Sequence, residues 1–312
     1  MKINNIIIFL LAVICFSCKQ QNSQVSQEES QELIEDLIER IITAENYLAQ
    51  DLIVNKGDVS NHIRIYQKED AIDEYITIIP SLGRGVEDYT EKYNSTITKN
   101  LVEAGYKVLL IQPRGIGKST GSLNSDLTLQ DMSHDIKSTM DSLGISKLHI
   151  VGHAFGNRVA RTFATMYTEN VDKLMLLACG GNDSLDPEAL KCLQGAFNFE
   201  LPDEERLQMI GCAFFAEGND PSSWLNGWYP KLAQFEMIAA ARDPTFFKAA
   251  GGKDFLVVQA LEDFVAPPDA AGRALRDAFP DQVTYVELAN AGHALTSEKP
   301  EEISAIILDY LK

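Results

Sequence analysis

A short apolar run, Leu148 to Val151, is followed at once by Gly152-His153-Ala154-Phe155-Gly156 and then by a helical pattern. Glycines at 152 and 156 suit a turn too tight for side chains on its flanks. A helix starting there directs backbone N–H groups at any anion that develops in front of it. The central residue, Ala154, has no lone pair and no acidic proton, so it cannot form an acyl-enzyme. Two later segments carry groups that can move protons: Glu262-Asp263-Phe264-Val265-Ala266-Pro267-Pro268 and Ala289-Asn290-Ala291-Gly292-His293. Taken singly, each is ordinary, a packing turn, a loop and a surface histidine; their order along the chain gives them meaning.

The elements that must position these residues can be read from periodicity. Ile63 to Tyr66 and Tyr75 to Ile79 read as strands, the second ending at Pro80. A helix is expected from about Tyr89 to Ala104, stopped by Gly105, then a strand from Lys107 to Ile111. Leu127 to Leu143 reads as a helix ended by Gly144. Leu148 to Val151 is a strand, Phe155 to Tyr167 a helix and Leu174 to Ala178 a strand. Phe255 to Ala260 and Val283 to Leu288 are further strands with a helix between them. Strands alternating with helices predict an α/β fold, a mostly parallel sheet with helices on both faces. From Asp183 to about Gly251 the rhythm is lost, and this stretch, with Trp224 and Trp228, is expected to be a helical lid over residues 184–250. The core is then 56–183 and 251–312.

Five segments in order resemble the α/β-hydrolase superfamily, from about residue 61 to the C-terminus. Gly152-His153-Ala154-Phe155-Gly156 has the place and flanks of its G-x-S-x-G nucleophile elbow. The resemblance makes Asp263 the orienting carboxylate and His293 the catalytic histidine, in the family's order of nucleophile, acid and histidine. Pro113-Arg114-Gly115-Ile116-Gly117-Lys118-Ser119 resembles its Arg-Gly-x-Gly-x-Ser turn, and Pro80-Ser81-Leu82-Gly83-Arg84-Gly85 occupies the place of its histidine–glycine loop. It implies oxyanion donors at the N–H groups of Phe155 and Arg84. It also places Ser81 and Arg84 near substrate, with the Arg84 guanidinium able to grip an anionic group by a forked contact. His153 is a further substrate-side candidate, although a residue in this place usually braces the elbow.

Alanine at the nucleophile position leaves several readings open. Ala154 could replace a serine deliberately. His293 with Asp263 could act as a general base on water or on a substrate proton, without any covalent step. Ser81 could supply a hydroxyl in place of the missing one, with Ser119 a weaker candidate. Finally, the protein could bind a small ligand or a partner without turnover. The expected substrate is a small, largely apolar molecule, and no metal or organic cofactor is implied.

The N-terminus reads as an export signal. Lys2, an apolar run from Ile6 to Phe16 and Ser17-Cys18 resemble a bacterial lipoprotein signal over residues 1–17, with acylation of Cys18 and anchorage in the cell envelope. A Gln- and Ser-rich tether follows. Leu33, Ile34, Leu37, Ile38, Ile41 and Ile42 then predict an amphipathic helix within 29–50, so that residues 18–55 form a tether and helix. With Cys15 and Cys18 inside the signal, Cys179, Cys192 and Cys212 remain, and at least one of them must stay unpaired within the chain. The net charge of −18, from 45 acidic and 27 basic residues, disfavours nucleic acid as a partner.

Overall fold

The computed structural model describes residues 47–180 and 186–312. The signal segment, Cys18 and most of the expected N-terminal helix lie outside the described residues. Eight strands form one sheet: β1 (Leu48–Lys56), β2 (Val59–Gln67), β3 (Tyr75–Ile79), β4 (Lys107–Ile111), β5 (Leu148–His153), β6 (Val171–Leu177), β7 (Phe255–Ala260) and β8 (Val283–Leu288). Their spatial order is β1-β2-β4-β3-β5-β6-β7-β8. The strands from β3 to β8 run parallel, and β2 is antiparallel to both β1 and β4.

Alternation along the strands sorts apolar side chains to the two faces of the sheet. Leu109 and Ile111 of β4 join one core with Ile150, Leu174 and Val257, packed beneath α2 (Leu129–Leu143) and α3 (Gly156–Met166). Val108 and Leu110 point the other way, joining Val151, Met175 and Val258 beneath α1 (Ile97–Glu103) and the C-terminal helix. Strands β5 and β7 are buried at every position, as expected for strands covered on both faces. Helix α2 is well delimited. Thr128 and Asp131 form a reciprocal capping box at its start, and Gly144, at φ 70°, closes it in the left-handed conformation.

Two expectations are corrected. Residues 48–50, expected to close the N-terminal helix, are extended and open β1, so the sheet begins ahead of the boundary placed at 56. Its residues are mostly exposed, so no buried stripe marks it; pairing with β2 across the Gly57-Asp58 turn defines it. The helix expected from Tyr89 begins only at Ile97. Two 3-10 turns, Val86–Tyr89 and Glu91–Tyr93, precede it, separated from it by Asn94 at φ 63°.

Between β6 and β7 the described residues form α4 (Pro187–Ala196), α5 (Asp203–Phe214), a 3-10 turn at Ser222–Trp224 and α6 (Pro230–Arg242), without a strand. A disulfide joins Cys192 of α4 to Cys212 of α5, while Cys179 is buried and free. The remaining helices are α7 (Gly272–Ala278), α8 (Leu295–Glu298) and α9 (Pro300–Leu311).

Candidate active site

The turn between β5 and α3 is fixed by its glycines. A Cβ on Gly156 would lie 2.2 Å from the Ile79 carbonyl oxygen, and one on Gly152 would lie 2.7 Å from the Gly156 oxygen. Neither distance is sterically possible. Ala154 between them adopts φ 50°, a left-handed conformation that costs a non-glycine residue about 1–2 kcal/mol. It persists because its surroundings hold it: its N–H donates to Leu177 O at 2.9 Å, and its carbonyl accepts from the Asn157 N–H and side-chain amide. The methyl side chain is buried.

The carboxyl ends of β7 and β8 supply the acid and the base. Asp263 Oδ2 lies 2.8 Å from His293 Nδ1. The Ala266 N–H donates to Asp263 Oδ1 at 2.7 Å, and Gln259 Nε2 donates to Oδ2 at 3.2 Å while also reaching Ala266 O. Such a carboxylate accepts the Nδ1 proton and leaves His293 Nε2 as the ring's open base. Among the described residues, nothing takes up that second nitrogen.

His153 ties the two halves of the site together. Its Nε2–H donates to the His293 carbonyl at 2.9 Å, and its Nδ1 accepts from the Tyr89 hydroxyl at 3.1 Å. Burial, reinforced by the nearby His293, pushes its pKa down to about 3, so the ring stays neutral. The sequence leaves His153 two readings, a substrate contact and a brace of the elbow. Here it is fully buried with both nitrogens engaged, and it braces the elbow against the histidine loop.

Arg84 also departs from expectation. Its guanidinium forks onto Asp88, with Nε–Oδ2 at 2.7 Å and Nη2–Oδ1 at 2.8 Å, and Nη1 donates to Asn226 O. The group lies against the rings of Trp224 and Trp228, 4.7 and 4.6 Å from their centroids, and is wholly buried. It has no fork left for a ligand. Its backbone N–H donates to Ser81 O at 3.1 Å and so is not free for an oxyanion. The N–H groups of Leu82 and Phe155, by contrast, have no acceptor among the described residues. Ser81 is buried at the base of the same turn.

One site residue escaped the sequence reading. Glu236 of α6 is buried, and the Gly83 N–H donates to its Oε2 at 2.6 Å. Burial raises its pKa to about 8, so at neutral pH it is largely a neutral carboxyl. With Pro80, Phe155, Met132 and Leu232 it lines a cavity of about 60 Å³. That cavity meets the elbow through Phe155; neither His293 nor Asp263 lines it. On the histidine side the walls are aromatic, with Phe214 5.9 Å from the His293 ring and Trp224 6.4 Å from the His153 ring. Among the described residues, no group of three or more His, Cys, Asp or Glu side chains is placed to hold a metal ion.

These features belong to one family. Residues 78–223 match the family described as alpha/beta hydrolase fold. The 2-hydroxy-6-oxononadienedioate/2-hydroxy-6-oxononatrienedioate hydrolase of Klebsiella pneumoniae subsp. pneumoniae is 34% identical over 234 residues, covering 68% of this chain and 78% of that protein. Its counterpart from a Pseudomonas species is 25% identical over 280 residues, covering 83% of this chain and 94% of that protein. The chain is therefore a member of the α/β-hydrolase family. Among solved structures, a bacterial membrane phospholipase A superposes with a TM-score of 0.71 at 15% identity, covering 99% of this chain and 98% of that one. The 2-hydroxy-6-oxo-6-phenylhexa-2,4-dienoate hydrolase of Rhodococcus sp. strain RHA1 superposes with a TM-score of 0.67 at 16% identity, covering 85% of this chain and 99% of that one. Both likenesses concern the fold.

Proposed function

We propose that this protein hydrolyses a small, largely apolar carbonyl compound by direct attack of water, with His293 as general base and no covalent intermediate. The observation that carries this reading is the Asp263–His293 pair, joined at 2.8 Å with Nε2 open, beside an elbow that keeps its strained turn but presents only a methyl group. In the reaction, His293 Nε2 takes a proton from water as the hydroxide oxygen bonds to the carbonyl carbon. The N–H groups of Phe155 and Leu82 receive the oxyanion. Collapse of the tetrahedral species breaks the bond to the leaving group, which takes the proton back from His293. Phe214 and Trp224 supply the apolar wall, and the helices between Pro187 and Arg242 act as the lid. The relatives' names, hydrolases of 2-hydroxy-6-oxo acids, favour a carbonyl substrate that also bears a carboxylate.

The chain is further proposed to be exported and anchored to the bacterial cell envelope through Cys18. The Cys192–Cys212 disulfide supports this, because such bonds persist in oxidising compartments. A second reading, a ligand-binding protein without turnover, is favoured by the same methyl group at 154.

The test is hydrolysis of activated aryl esters and lactones by the protein and two variants. Turnover by the unmodified protein that falls at least about 100-fold in His293→Ala supports the water mechanism. Turnover confined to Ala154→Ser would overturn it in favour of the binding protein.

A further inference from the structure

In a chain with a net charge of −18, arginines readily find carboxylates. Arg64, Arg84, Arg114, Arg242, Arg273 and Arg276 each pair with one, and Asp203 acts on Arg206. Arg158 and Arg161 do not. They stand three residues apart on α3, where side chains share a face and two like charges repel. Arg161 is 4% exposed; its Nη2 donates to Asn157 Oδ1 at 2.6 Å and its Nη1 reaches Lys248 O at 3.5 Å, but its buried Nε has no partner. Arg158 is half-buried, and its guanidinium makes no hydrogen bond or ion pair among the described residues. Among the described residues, the Cys179 thiol is the acidic group that acts on both guanidiniums, and Arg158 also acts on Arg161. Burial pushes that thiol up to about 11, so it supplies no anion at neutral pH.

The pair sits where the inserted helices meet the core. The Arg158 guanidinium lies against Gly180, just past β6, where an added Cβ would be 3.0 Å from Nη1. Arg161 lies over the Phe247 ring, 4.8 Å from its centroid, where the chain returns towards β7. Withdrawing two cations from water without a counter-charge is costly, and a bound anion removes that cost.

We propose that Arg158 and Arg161 form a binding site for a carboxylate group, with the Arg158 fork as the principal contact and Arg161 Nε as the second. Binding at this site does not depend on turnover. The carboxylate has two possible sources, a substrate that carries one distal to its reacting carbonyl or a separate small acid. The binding test is a titration of the full chain with benzoate and with acetate at constant ionic strength, chloride replacing the acid in controls. Melting temperature and titration calorimetry are the readouts. Saturable stabilisation that weakens at least tenfold in Kd in Arg158→Gln supports the site. Arg158 is half-buried, so this variant keeps the test valid even if Arg161→Met fails to fold. No saturable effect, or an unchanged Kd in Arg158→Gln, overturns it.

Esters with and without a distal carboxylate separate the two sources. A preference for the acidic ester that disappears in Arg158→Gln assigns the site to substrate. Saturable binding without such a preference assigns it to a separate acid.

Discussion

Arg84 and Arg161 are nearly equally buried, 0% and 4% exposed, yet their surroundings are opposite. Arg84 has a carboxylate four residues away, two indole faces and a carbonyl, so every direction of its fork is satisfied. Arg161 has an amide, one distant carbonyl and a second arginine. The junction of the β3 loop with α6 is thus closed on itself: the Tyr229 N–H donates to Gly83 O, and Glu236 takes the Gly83 N–H. At the junction of α3 with the end of β6, no carboxylate among the described residues acts on either arginine. A buried cation with a full set of partners serves the fold, and one without them is available to a ligand.

The contrast can be broken most severely at Asp88. Asp88→Ala leaves Arg84 charged and unpaired in the interior, and a loss of about 3–5 kcal/mol is expected in urea melts. Replacing both partners, Arg84→Met with Asp88→Leu, should restore most of it. A small loss in the single variant would show that the indoles and Asn226 hold the guanidinium without a carboxylate.

The next effect is a dependence on pH. The folded pKa of Glu236 is raised, so its contribution to stability is complete below the usual carboxyl range and is lost as pH rises through about 8, at up to about 1.4 kcal/mol per pH unit. His153 works in reverse. Its folded pKa is depressed, so stability falls as pH drops below about 6.5 towards about 3. Melts from pH 5 to pH 9 should show the alkaline slope, the fall between about pH 6.5 and 8, flatten in Glu236→Gln, while the acid slope below about pH 6.5, which Glu236 offsets in the unmodified protein, steepens. An unchanged alkaline slope would mean that Glu236 is ionised in the folded protein.

The smallest effect belongs to Arg158. Since its guanidinium has no partner among the described residues, Arg158→Gln should change stability in the absence of ligand by no more than about 0.5 kcal/mol. A loss as large as that of Asp88→Ala would place it in the structural class and end the contrast.

Much of the site was legible in the chain because it rests on local necessity. Gly152 and Gly156 bracket a turn that admits no side chain, and the loops carrying Asp263 and His293 each follow a strand that reads plainly as apolar and buried. The role of Arg84 was misread, although its spacing of four from Asp88 was visible; a long-range comparison of loops outweighed a local ion pair. Glu236 left a subtler mark, a lone carboxyl on the face of α6 that also carries Leu232, Ala233 and Ala239. Its partner Gly83 is 153 residues away, and no local pattern announces such a bond. Strand β1 escaped for the opposite reason, since an exposed edge strand has no buried stripe to read.

The conformation of Ala154 has a consequence for history. Because the turn is enforced by its neighbours, oxygen can be added to the methyl carbon without moving the main chain. Every alanine codon becomes a serine codon by changing its first base. The gene therefore stands one point mutation from encoding a hydroxyl at the elbow, on a backbone already bent to present it. Loss of the nucleophile in this fold need not be a one-way step.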